Sequence, residues 1–153
     1  MIAAATEGDV ESLARLTSQD PALLHARLPL SNSCTNSGSV ANAFAAGGNG
    51  TATALWLAAW KGHAEAVRWL LGRGADGSTS YHCTSRTGAD SSGRTALHAA
   101  CIEGHSSVVH ALLCDPRVNL NGRAEGGRTA AHCAAERGHM ECLRLILHEG
   151  RRR

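Results

Sequence analysis

The sequence predicts an all-α solenoid of helix-turn-helix units with two loop insertions. Three observations carry that prediction. The stretches TALWLAAWKGHAEAVRWLL, TALHAACIEGHSSVVHALL and TAAHCAAERGHMECLRLIL, starting at Thr53, Thr95 and Thr129, repeat one pattern. In each copy Thr and Gly keep the same separation, 53 to 62, 95 to 104 and 129 to 138, while the copies step by 42 and then 34 residues. Self-similarity at such a period marks stacked repeats, in which no unit can bury its apolar face alone. Within each copy the apolar residues return at helical and not alternating spacing.

Each copy reads as two short helices. Thr95 is an N-cap, because its hydroxyl can satisfy a free N–H of the first turn. Leu97, Ala100 and Cys101 then make one apolar face, and Gly104 stops the helix in a left-handed conformation that costs it no Cβ strain. Val108, Val109, Leu112 and Leu113 form the face of a second helix. The copies at Thr53 and Thr129 place their residues likewise.

On these residues the chain resembles the ankyrin repeat family, whose motif reads T-P-L-H-x-A-A-x-x-G-H and continues with an apolar helix and G-A-D. The resemblance covers about residues 50 to 76 and 90 to 150, with a partial unit at 2 to 27 where Gly8 takes the place of Gly62. It implies an ankyrin-repeat solenoid. There are departures. Ala54, Ala96 and Ala130 replace the motif's Pro, a small loss because Ala is itself a good helix former. Ala131 replaces Leu, and a core Leu lost to Ala costs roughly 2–5 kcal/mol, so the unit from 122 to 150 is expected to be the weakest. Trp56 stands where His98 and His132 keep the motif's His, a residue that in the family bonds within its own turn and to the neighbouring repeat.

The organisation expected is a partial or capping repeat over 1–27, a Gly/Ser/Asn/Ala-rich insertion over 28–52, repeats over 53–76, 90–121 and 122–150, an insertion loop over 77–89, and a basic tail over 151–153. The insertions are expected as loops because helix interiors cannot absorb extra residues, and Phe44 is the one large anchor in the first. In the repeat at 90–121, Asp115-Pro116 ends the second helix without a Gly, since Pro cannot continue it. No polar closing repeat follows Leu143, Ile146 and Leu147, and terminal repeats usually need one. That pattern is expected of a segment from a longer chain.

Composition narrows the function classes. Fifteen Lys and Arg face thirteen Asp and Glu, a balance that gives no electrostatic case for nucleic acid. No apolar run of membrane-spanning length occurs, and the acidic start MIAAATEGDVES is unlike a secretory signal. Six Cys occur without a C-x-x-C pair, which fits an intracellular protein with reduced thiols, cytoplasmic first and nuclear as the alternative. A monomer, or part of a longer chain, is expected.

Catalytic chemistry has no residue-level support. No Ser lies in a G-x-S-x-G turn, and Gly47-Gly48-Asn49-Gly50 lacks the Lys-Ser/Thr ending of a phosphate loop. Most His belong to the repeat. Outside it, Cys34 and the Tyr81-His82-Cys83 run do not supply the paired spacing of a zinc site. No enzyme activity, cofactor or metal is therefore expected.

The resemblance implies a protein–protein interaction scaffold. In the family, partners meet the turn tips and the exposed last residues of each first helix. Those helix positions are Trp60 and Lys61, Ile102 and Glu103, and Glu136 and Arg137. The turn positions are Ser91, Ser92 and Arg94, then Glu125, Gly126 and Arg128. Trp60 and Ile102 admit two readings: insertions fold over and bury them, or they form the centre of a docking face together with Arg94. An alternative function is a substrate-recruiting or regulatory segment of a larger enzyme or ubiquitin-ligase adaptor. The partner is a protein whose identity the sequence does not give.

Overall fold

Threonine caps and glycine stops set the frame. The computed structural model describes residues 1–26, 28–30, 49–77, 80–84 and 93–152. Eight α-helices among them form four antiparallel pairs: α1 (Ile2–Glu7) with α2 (Val10–Gln19), α3 (Ala54–Lys61) with α4 (Ala64–Gly72), α5 (Ala96–Glu103) with α6 (Ser106–Leu113), and α7 (Ala130–Glu136) with α8 (Met140–Gly150). The first helices stack in chain order, α1 on α3 on α5 on α7, and the second helices follow as α2, α4, α6 and α8. This is the all-α ankyrin-like solenoid that the sequence predicts.

The local reasons are repeated from pair to pair. Thr53 Oγ1 accepts from Trp56 N–H at 3.3 Å. Thr95 N–H donates to His98 Nδ1 at 3.2 Å, and the Thr95 hydroxyl donates to the same nitrogen at 2.8 Å. Thr129 and His132 do the same at 3.3 and 2.8 Å. The helix stops Gly8, Gly62, Gly104 and Gly138 have φ of 74°, 85°, 80° and 73°, the left-handed region that favours glycine.

The units are joined by a histidine ladder that the sequence reading did not foresee. His63, His105 and His139 begin the second helices with nearly the same backbone, φ −82 to −80° and ψ 74 to 80°, and give those helices no side-chain cap. Their rings instead reach back one unit. His63 Nε2–H donates to Thr6 O at 2.8 Å, His105 to Trp60 O at 3.0 Å and His139 to Ile102 O at 3.1 Å. Each ring lies over the preceding unit's glycine, so closely that a Cβ on Gly8, Gly62 or Gly104 would stand 2.6, 2.8 or 2.6 Å from it.

One core runs through the stack, with Leu13, Leu55, Trp56, Leu57, Leu70, Leu97, Val108 and Leu112 fully buried. It thins at the α7/α8 pair. Ala131 is half-buried where Leu55 and Leu97 are buried, and Met140 and Leu147 are 64% and 56% exposed. A cleft of ≈ 710 Å³ opens there between Ala131, Val118, Leu120, Ile146 and Leu147.

The insertions differ from the loops expected. Their described parts form an antiparallel sheet with the start of the following repeat, in the order β1 (Leu28–Leu30), β2 (Asn49–Ala52), β3 (Ser80–Thr84), β4 (Arg94–Thr95). Leu28 pairs with Ala52, Gly50 with Cys83 and Tyr81 with Arg94. The Gly-, Asn- and Thr-containing strand β2 has no local strand signal. Pairing with both neighbours satisfies its backbone donors and acceptors instead. β2 and β4 run directly into the caps of α3 and α5, so the sheet fixes the approach to both first helices. Phe44, Cys34, Ser91, Ser92 and Arg153 lie outside the described residues.

Candidate functional site

The residue immediately before the capping threonine recurs at equivalent positions: Ala52, Arg94 and Arg128. Arg94 is held by the β3–β4 pairing opposite Tyr81. Arg128 is held by its carbonyl, which accepts from His98 Nε2–H at 3.2 Å and from Ala124 N–H at 2.8 Å. His98 thus serves two units at once. Its Nδ1 closes the Thr95 turn and its Nε2–H fixes the next unit's turn. Burial holds its imidazole below the ordinary value, and the nearby Arg94 charge adds to that effect.

Arg94 and Arg128 open onto one cleft of ≈ 330 Å³. Ile102 on α5 and Glu136 and Arg137 at the end of α7 complete its walls, with Cys133 in the floor. Six of the residues that the sequence singled out, Arg94, Ile102, Gly126, Arg128, Glu136 and Arg137, therefore meet in one cavity between two units. Arg128 Nη1 and Glu136 Oε2 form an exposed ion pair at 3.2 Å. Neither Arg94 nor Arg137 has an ion-pair partner among the described residues. Among the described lining residues, three guanidinium groups against one carboxylate leave a formal excess of two positive charges.

Cys133 is 6% exposed. Burial pushes its thiol pKa up, Arg94 opposes the shift most, and Arg128 and Arg137 oppose it less. A thiol kept protonated in this way is a packing group and a poor nucleophile. Among the described residues no group of three or more His, Cys, Asp or Glu side chains is placed to hold a metal ion. No helix of the described residues is long and apolar enough to cross a membrane.

The remaining expected positions fall elsewhere. Trp60 is 2% exposed and Ile102 7%, so of the two readings open for them burial is the one that fits, and neither projects from its helix end as a docking anchor. Trp60 instead packs against Trp56 with ring centroids 5.8 Å apart and the planes tilted by 33°, and Lys61 Nζ sits 4.5 Å from the Trp60 centroid. An indole packed against a second indole and capped by a lysine ammonium loses more by exposure than it gains. Ile102 shows only an edge to the cleft. Glu103 is half-buried at the end of α5. Glu125 opens the 3-10 turn Glu125–Gly127, and its side chain lies outside the described residues, as do Ser91 and Ser92.

Cys133 and Ala124 also line the cleft. Cys133 carries no site reading from the sequence, where it is one of six Cys without a C-x-x-C pair. Its spacing to Glu136 and Arg137, three and four residues on, places all three on one helix face, and that signal was available.

The family described as ankyrin repeats matches this chain in three copies, over residues 1–119 and 78–152. Comparison with curated proteins finds none that matches.

Proposed function

Because this chain belongs to the ankyrin repeat family, whose repeats are generally protein–protein interaction modules, we propose that it is a non-catalytic scaffold. On this reading it binds one protein partner through the turn tips and the first helices, at the cleft between the α5/α6 and α7/α8 pairs. The observation that carries the reading is the meeting of Arg94 and Ile102 from one unit with Arg128, Glu136 and Arg137 from the next. Interfaces concentrate their energy in a few side chains, Arg prominent among them. Trp60 belongs to the fold on this reading, and the docking centre moves from it to Arg94. The setting is intracellular, in line with the cysteine spacing.

Affinity capture from native extract tests this with three baits compared side by side: the unaltered chain, Arg94→Ala with Arg128→Ala, and Arg144→Ala. Arg144 is an exposed residue of α8 whose contact is with Glu141. The expected result is a protein retained by the first and third baits and lost by the second. Retention by all three would place the interaction elsewhere on the molecule.

A further inference from the structure

We propose that the cleft takes an acidic segment of its protein partner, with one Asp or Glu carboxylate seated on Arg94 and a second facing Arg137. The inference rests on the reading of this cleft as the partner site and adds what the partner must carry. Its ground is charge and shape. Arg94 is half-buried, held in place by a paired strand, and makes no ion pair with a carboxylate of the described residues. A guanidinium so placed offers a fixed fork of donors that matches a carboxylate in two parallel hydrogen bonds. Arg137 is exposed at the C-cap of α7, where a cation is also favoured by the helix dipole. Arg128 is already engaged by Glu136, so the unspent positive charge lies at the two other arginines.

Size decides what enters. A cavity of ≈ 330 Å³ is at the lower limit of small-molecule sites, room for one acidic side chain and its flanking backbone, with a second carboxylate at the exposed Arg137 on the rim, and not for a packed helix. The segment is therefore expected to lie extended across the cleft. The whole chain carries a formal charge of only +2 at pH 7, so the attraction is local to the cleft and falls as salt screens it.

The probe is a fluorescein-labelled hexapeptide of Glu, followed by anisotropy at low and at physiological salt, with a Gln hexapeptide and a phosphoserine peptide beside it. The Glu peptide is expected to bind the full chain, more weakly as salt rises, while the Gln peptide does not bind. Arg94→Gln and, separately, the exposed Arg137→Gln are each expected to weaken binding about tenfold, the equivalent of ~1.4 kcal/mol. Arg144→Gln and a chain with all three terminal arginines 151–153 changed to Gln are expected to bind as before. Equal binding by unaltered and Arg94→Gln chains overturns the proposal, as does loss of binding with the tail arginines alone. Binding of the phosphoserine peptide with none of the Glu peptide also overturns it and assigns the cleft to phosphate. If the Glu peptide fails while the captured partner is still lost with the Arg94 and Arg128 variant, only the acidic chemistry is wrong. If that partner is retained as well, the cleft itself is the wrong site.

Discussion

Replacing Gly104 with Ala tests whether the histidine ladder holds the units together. Two effects add at that position. The backbone has φ 80° and ψ 22°, where an L-residue with a Cβ is strained by roughly 1–2 kcal/mol. The new methyl would also stand 2.6 Å from the His139 ring, so the ring must leave and its hydrogen bond to Ile102 O at 3.1 Å breaks. A hydrogen bond of this kind contributes about 0.5–1.5 kcal/mol, and the displaced ring loses its packing besides. Gly138 supplies the matched control, with φ 73° and nothing within 4 Å of its Cβ position. Gly138→Ala keeps the backbone strain and removes no ring. Urea denaturation of both variants is the assay, with the slope m checked for change, since repeat arrays can lose cooperativity. Gly104→Ala is expected to cost about 1–2 kcal/mol more than Gly138→Ala, a difference that sums the hydrogen bond and part of the packing. Equal losses would refute the idea that the ring-on-glycine joint stabilises the stack.

Other expectations follow from burial. Trp60→Ala is expected to lower stability by roughly 3–5 kcal/mol, as for other large aromatics cut from a core, and a thermal melt reads it directly. Ala131→Leu is expected to raise stability by about 1 kcal/mol, because the ≈ 710 Å³ cleft beside it accepts a side chain without overpacking; calorimetry that shows no gain would contradict this. His98 makes stability pH-dependent. Its folded pKa lies below the ordinary 6.5, so in the acid range the unfolded chain binds the proton and the folded chain does not, and stability rises with pH. The contribution is complete above pH 6.5 and lost as pH falls below it toward the folded value. Denaturant midpoints taken through that window should fall more steeply for the unaltered chain than for His98→Gln.

Sequence made the units legible because their determinants are local. A threonine cap, an interior of Ala and Leu and a glycine stop act within one turn of helix, so a fixed Thr-to-Gly spacing suffices to find them. The cleft was partly legible for the same reason: Arg94 and Arg128 occupy the same place before the cap, and Glu136 and Arg137 the same helix end. What escaped depends on partners far along the chain. His63 donates to Thr6 O, 57 residues away, and nothing beside His63 announces it. The strand Asn49–Ala52 reads as a loop because its pairing is with Leu28–Leu30 and Ser80–Thr84 and not with its own composition. Trp60 stayed open between burial and a docking role because helix-end positions are usually wet. Its contact with Trp56 at i−4 was in the pattern, and the weight of two indoles packed together decides for burial.

The central claim is that the cleft between the α5/α6 and α7/α8 pairs is a binding site organised by Arg94. Side-chain NMR of the arginine Nε–Hε groups, recorded while the Glu hexapeptide is added, tests it most directly. Saturable shifts at Arg94 and Arg137, with Arg15 and Arg144 unmoved, are the predicted result. Arg15 is paired with Glu11 on α2 and Arg144 with Glu141 on α8, both outside the cleft. Shifts confined to the terminal arginines, or no shift at Arg94 while the peptide is bound, would contradict the account.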